Sequence, residues 1–118
     1  MNTHESYVSL KTAKMLEKAG FDWFCISAYY DGKLITNPIA TIIYKEEVYA
    51  PSLAVAQRWL REVMKIEVFV EPFVGFYKYA VEELKEDGVY SDGREKSYEE
   101  AQEAGIKKAL EVILEKGE

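Results

Sequence analysis

Apolar positions along the chain repeat with two periods. In three stretches they recur every three or four residues, the spacing of one helix face. Between those stretches they alternate or run together, as strands do. The first stripe is narrow: Leu10, Ala13 and Leu16, with Met15 beside it. Ser9 stands where a hydroxyl can accept from an unpaired backbone N–H, and Gly20 supplies a left-handed stop. A helix is predicted from Leu10 to Ala19. The second stripe follows Pro51-Ser52 and holds Leu53, Ala56, Trp59, Leu60, Val63 and Met64. It predicts a central core helix over Leu53–Lys65, with Leu53, Trp59, Leu60 and Val63 buried and Arg58, Arg61, Glu62 and Lys65 mostly opposite. The third helix is predicted from Tyr98 to Glu115. Ser97-Tyr98-Glu99-Glu100 fits a capping box, and Ala101, Ile106, Leu110, Ile113 and Leu114 mark the buried side. Gly105 in its interior costs about 1 kcal/mol relative to Ala. A close approach to another backbone would account for it.

Strand patterns fill the intervals. Trp23–Tyr30 is rich in aromatic residues and leads into Asp31-Gly32, a strong two-residue hairpin signal, because both central positions of a type I′ turn need positive φ. The return strand starts at Lys33-Leu34-Ile35. Asn37-Pro38 interrupts it, so Ile39–Tyr44 is either a separate strand or a bent continuation. Ile66, Val68 and Val70 alternate with Glu67 and Phe69 until Pro72 marks an edge or a bulge, and Gly75 marks the next turn. In the strand Phe76–Leu84, one face carries Phe76, Lys78, Ala80 and Glu82, the other Tyr77, Tyr79, Val81 and Glu83. Glu86–Lys96, with Asp87-Gly88 and Asp92-Gly93, reads as a loop or short hairpin.

The order is α-β-β-α-β-β-α. Strands joined by tight turns pair antiparallel, so one antiparallel sheet with helices packed on one face is expected, a single α+β domain over residues 1–118 with residues 1–6 mobile. Ser9, Ser52 and Ser97 begin the three helices with an apolar residue next and an alanine one turn on. Duplication of an αββ unit or three independent helix starts would each produce that echo.

Composition narrows the classes. At 118 residues with 48% apolar and 31% charged side chains, the chain suits one globular domain able to stand without disulfides or metal. No apolar run approaches the ~20 residues of a membrane span, and Met1-Asn2-Thr3-His4-Glu5 lacks the basic and apolar regions of a signal peptide. One Cys and one His exclude a disulfide framework and a multi-His or multi-Cys metal site within one chain. The net charge of −6 is unevenly spread, +1 over residues 1–65 and −7 over residues 66–118. A nucleic-acid binder needs a basic face, and Lys11, Lys14 and Lys18 offer only a solvated helix stripe. Neither nucleic acid nor membrane is an expected partner.

No P-loop, dinucleotide fingerprint or nucleophile elbow is present. Cys25 lies in an apolar stretch, where burial makes a thiol inert, and its only imidazole partner would be His4. No catalytic residue, metal ligand or cofactor is assigned. The pairs Glu46-Glu47, Glu82-Glu83, Glu86-Asp87 and Glu99-Glu100 resemble solvated surface, since adjacent acids on a strand point to opposite faces.

Two groups remain as binding candidates. Tyr29, Tyr30, Tyr77 and Tyr79, from a strand set that also includes Tyr44 and Tyr49, could form an aromatic interaction surface or pack a sheet with their hydroxyls in water. Lys78 alone is too little to make such a platform bind single-stranded nucleic acid. Glu82, Glu83, Glu86, Asp87 and Asp92 cluster near one strand end. They could dock on a basic host surface in a salt-sensitive way, or simply solvate an edge.

Tyr7-Val8-Ser9 leading to Thr12-Ala13-Lys14 and Gly20-Phe21, Tyr29-Tyr30-Asp31-Gly32, Ala50-Pro51-Ser52-Leu53 leading to Trp59-Leu60-Arg61-Glu62, and Ser97-Tyr98-Glu99-Glu100-Ala101 leading to Ile106 together resemble a group of small uncharacterised proteins of phages and mobile elements of Bacteroides-type gut bacteria. That resemblance spans nearly the whole chain. It implies a cytoplasmic bacterial or phage origin and transfers no functional residue. The expected function is non-enzymatic binding, to a protein partner or to itself as a homo-oligomer. The alternative is a small metal- or nucleotide-dependent enzyme built on the Glu-rich C-terminal half.

Overall fold

The computed structural model describes residues 6–36, 48–84 and 88–116. Helix α1 covers Leu10–Lys18. The Ser9 side chain accepts from Thr12 N–H at its start, and Gly20 follows its end at φ 99°. Lys11, Lys14 and Lys18 are exposed on it, a solvated stripe as expected. Strands β1 (Ala28–Tyr30) and β2 (Lys33–Ile35) form a hairpin, with Asp31 at φ 52° and Gly32 at φ 78°, the two positive angles that turn requires. The aromatic run therefore contributes only its last three residues as strand. Strand β3 (Val48–Tyr49) pairs on the other side of β1.

Helix α2 covers Leu53–Trp59, capped by Ser52, and runs on as a π-helical turn over Leu60–Met64. That turn corrects one sequence expectation. Val63 is 48% exposed, while Leu53, Trp59 and Leu60 are buried. A π turn holds more residues than an α turn, so the apolar phase slips and Val63 swings out of the stripe. Lys65 then closes the element at φ 61°.

Strands β4 (Ile66–Phe73), β5 (Phe76–Glu83) and β6 (Gly88–Glu95) form a continuous antiparallel meander, and α3 (Tyr98–Lys116) closes the chain, with Ser97 Oγ accepting from Glu100 N–H. The stretch expected to be loop or short hairpin is thus mainly an eight-residue strand. Between Val81↔Ser91 and Glu82↔Val89 the register shifts, which leaves Tyr90 without a counterpart on β5. Pro72 sits near the end of β4, an edge strand, where its missing N–H costs no ladder bond.

The class is α+β with antiparallel pairing, but the strands form two sheets rather than one, in the orders β2-β1-β3 and β4-β5-β6. The central strand is the first of its sheet in one and the second in the other. Among the described residues the third strand thus joins a different edge in each sheet, while Ser9, Ser52 and Ser97 each cap a helix. The expected strand Ile39–Tyr44, the interruption at Asn37-Pro38 and the mobile start lie outside the described residues, apart from Ser6 of the latter.

One core joins the pieces. Val8, Leu16, Leu53, Trp59, Leu60, Val68, Val81, Ile106 and Leu110 belong to a single cluster. Trp59 is 1% exposed and meets Phe21 edge to face at 5.4 Å. Its Nε1 has no hydrogen-bond partner among the described residues. Gly105 is explained by a side chain, not by a backbone as expected: a Cβ there would lie 2.5 Å from Val68 Cγ1. Gln102 Nε2 donates to Gln57 Oε1 at 2.8 Å, and Gln57 Nε2 donates to Val68 O at 2.6 Å. These amides tie α3 and α2 to the free edge of β4 and give that edge carbonyl a partner.

Across the molecule, Glu103 of α3 reaches the start of α1. Ser9 N–H (3.1 Å), Ser9 Oγ–H (2.8 Å) and Thr12 Oγ1–H (2.5 Å) all donate to its Oε2. A carboxylate there also faces the positive end of the α1 dipole.

Candidate interaction surface

Strict alternation sorts the second sheet into two faces. Register pairs Val68 with Val81 and Val70 with Tyr79 on one face, and Glu67 with Glu82, Phe69 with Ala80, Glu71 with Lys78 and Phe73 with Phe76 on the other. Helix α3 covers the first. Tyr77 meets Tyr98 of α3 edge to face at 6.0 Å, and the Tyr79 ring lies 3.6 Å from where a Gly105 Cβ would be. Tyr79 also crosses to its partner Gly93, where a Cβ would fall 2.5 Å from the phenol oxygen. Glycine at position 93 is what lets that ring lie flat across β6.

No described element covers the second face. Phe69 is 46% and Phe73 48% exposed. Phe73 stacks on Phe76 at 5.1 Å between centroids with planes 8° apart, and the Arg94 guanidinium sits 4.8 Å above the Phe76 ring. Phe73, Phe76, Lys78, Gly93 and Arg94 line an open cleft of about 330 Å³. Toward the start of β4, Arg61 pairs with Glu67 at 3.6 Å. Along this face Glu71 and Lys78 separate the Phe69–Ala80 row from the Phe73–Phe76 row, so apolar and charged rows alternate.

The tyrosine candidates do not make one surface. Tyr77 and Tyr79 are half-buried against α3. Tyr29, on the first sheet, donates its hydroxyl proton to Val8 O at 2.9 Å and packs against the core. Burial, and secondarily the Glu103 charge, push its phenol up from the usual range. Tyr30 alone of the four is exposed. The aromatic surface belongs instead to Phe69, Phe73 and Phe76. The pattern held the signal, because Val68 and Val81 fix which parity faces inward and leave these phenylalanines outside.

Of the acidic group, Glu82 and Glu83 are neighbours on β5 and point to opposite faces. Asp92 lies on β6 opposite Ala80 by its backbone. Glu86, Asp87, Glu46, Glu47, Tyr44 and His4 lie outside the described residues. A separate cleft of about 390 Å³ is lined by Glu95, Glu99, Glu100 and Glu103, with Lys107 among them. Among the described residues, no three His, Cys, Asp or Glu side chains converge as a metal would need.

Cys25 is buried beside Phe24 and Ile26, and desolvation pushes its thiol up to about 11. Phe24 and Ile26 are themselves exposed, and among the described residues the cleft they share with Cys25 and Val55 is lined by no charged side chain. No helix among the described residues is long and apolar enough to cross a membrane. Comparison with family models, with curated proteins and with solved structures finds no match to this chain.

Proposed function

We propose that this chain is a cytoplasmic, non-enzymatic binding protein of phage or mobile-element origin that works through the uncovered face of its second sheet. Origin and compartment rest on the sequence resemblance. The binding surface rests on one observation, half-exposed Phe69 and Phe73, the latter stacked on Phe76, on the sheet face turned away from α3. A sheet needs one buried face for stability, and the second is ordinarily polar. Placing three large rings there has a solvation cost that a partner removes, about 1 kcal/mol or more for each half-exposed ring covered.

Hydroxyl-radical footprinting tests this reading whatever the partner is. Phe69 and Phe73 should be oxidised less in expressing bacterial cells than in dilute purified protein. Val74, which is 99% exposed at the β4–β5 turn, serves as the internal reference. Equal protection ratios at Phe69, Phe73 and Val74 would remove the surface from consideration. A thermal-shift panel with divalent metals and nucleotides separates binding from small-molecule chemistry. Stabilisation by several degrees from one of these ligands would favour the enzymatic alternative.

A further inference from the structure

We infer that the partner of this face is a second copy of the same chain, packed sheet on sheet about a two-fold axis that passes over Ala80 at right angles to the strands. The inference rests on the binding-surface reading above and deepens it. Outward positions of β5 run Phe76, Lys78, Ala80, Glu82. Lys78 and Glu82 are equidistant from Ala80 and carry opposite charge. A two-fold axis over Ala80 inverts the strand direction, so it sets each Lys78 over the Glu82 of the other copy and each Glu82 over its Lys78. One sequence relation thus yields two ion pairs, as an isologous contact demands.

Of the two neighbouring strands, β4 agrees, whereas on β6 the axis carries the Asp92 position onto its own counterpart, a like pair that weakens the contact. Phe69 is the register partner of Ala80, so the same axis brings the two Phe69 rings together beside the smallest side chain of the face. Glu71 is carried over Glu67, a like pair on its own, but Arg61 already stands at Glu67 and neutralises that position. Lys78 is engaged within its own chain, and its ammonium carries three donors, enough to serve a second carboxylate. Phe73 and Phe76 extend past the axis toward the opposite end of the partner's sheet, where Leu84 is exposed. Aligned sheets pack about 10 Å apart, a gap that phenylalanine and lysine side chains fill from both sides.

Size sets the strength. Three eight-residue strands present about 400 Å² in projection, against roughly 800 Å² per partner in a standard stable complex. The dimer is therefore weak and dependent on concentration and salt.

Sedimentation equilibrium of the purified full chain from about 10 μM to about 1 mM provides the test. Lys78→Glu and Glu82→Lys should each weaken association roughly tenfold or more, because every substitution acts twice across a two-fold. Lys78→Glu combined with Glu82→Lys restores the pairs in reverse and should return association to within about threefold of the parent. Circular dichroism of each variant confirms the fold. Rescue by the double variant, with loss in Phe69→Ser, supports the proposal. A dimer that ignores these substitutions uses another face and overturns it. A chain that stays monomeric to the top concentration also overturns it. In that case protection of Phe69 and Phe73 in cells would still uphold the surface with a different partner, whereas its absence would end both readings.

Discussion

The two faces of the second sheet come from the same strands and differ by one residue of parity. Toward α3 the sheet presents Val68, Val81 and Tyr79, and the fit is close enough that a single methyl at Gly105 or Gly93 would collide with it. Away from α3 it presents Phe69 and Phe73, each about half exposed, and the partly buried Phe76. Residue size does not decide what is core. Tyr79 is shaped around by glycines on two elements, whereas Phe73 stacks on the Phe76 ring and stays half exposed. The inner face was built to close, and the outer one has room for something else.

Substitutions can break that contrast, and the largest effect lies beneath the inner side. Trp59→Ala should cost about 3–5 kcal/mol in chemical denaturation. Trp59→Phe should cost much less, since it also deletes an indole N–H that has no partner among the described residues. If Trp59→Ala unfolds within 1 kcal/mol of the parent (by the usual scale of core truncations, roughly a surface effect), the core does not converge on that indole.

Gly105→Ala comes next and sets two effects in opposition. Helix propensity favours alanine by about 1 kcal/mol. The new methyl would press on Val68, a stiff, buried, β-branched side chain that cannot swing aside. Overpacking costs about 1–3 kcal/mol, so the net expectation is destabilisation by up to about 2 kcal/mol. A more stable Gly105→Ala protein would show that α3 does not rest as closely on β4.

On the outer face the same measurement should read almost nothing. Phe73→Ser should change stability by no more than about 0.5 kcal/mol, as surface substitutions do. A loss comparable to that of Gly105→Ala would mean that Phe73 belongs to the fold and not to a contact.

The smallest effect is on the buried thiol. An unfolded chain gives up its Cys25 proton near 9.0, whereas the folded chain holds it to about 11. Stability from this group is complete below pH 9 and falls as pH rises through that window, because the unfolded state releases the proton first. At pH 8 a disulfide reagent should label native Cys25 far more slowly than the denatured chain. Equal rates would place the thiol in water.

These contrasts also show what could be read along the chain. Helix starts at Ser9, Ser52 and Ser97, the Asp31-Gly32 hairpin and the parity of β5 were all visible, because each depends on chemistry within a few residues. Gly105 was visible as an anomaly, though not its cause, since Val68 lies thirty-seven positions away. Val63 departs from its apolar stripe because the π turn that displaces it follows from packing and leaves no mark in the spacing. Strand β6 was hidden for a similar reason. Gly88, Asp92, Gly93 and Arg94 favour strand weakly, and pairing with β5 supplies the conformation. The candidate surface is half legible. Lys78 is readable on the outward parity of β5, but Arg94, its register partner on β6, joins it only because β6 is a strand.

The Glu103 clamp has a consequence for how the protein is made. The ribosome delivers Ser9 and Thr12 early and their carboxylate more than ninety residues later. Until then α1 is a nine-residue helix, too short to persist alone in water. Its completion waits for the last helix, so the first helix to be synthesised is among the last to be secured. A chain that terminates before Glu103 would leave the start of α1 without its carboxylate partner and easier to open.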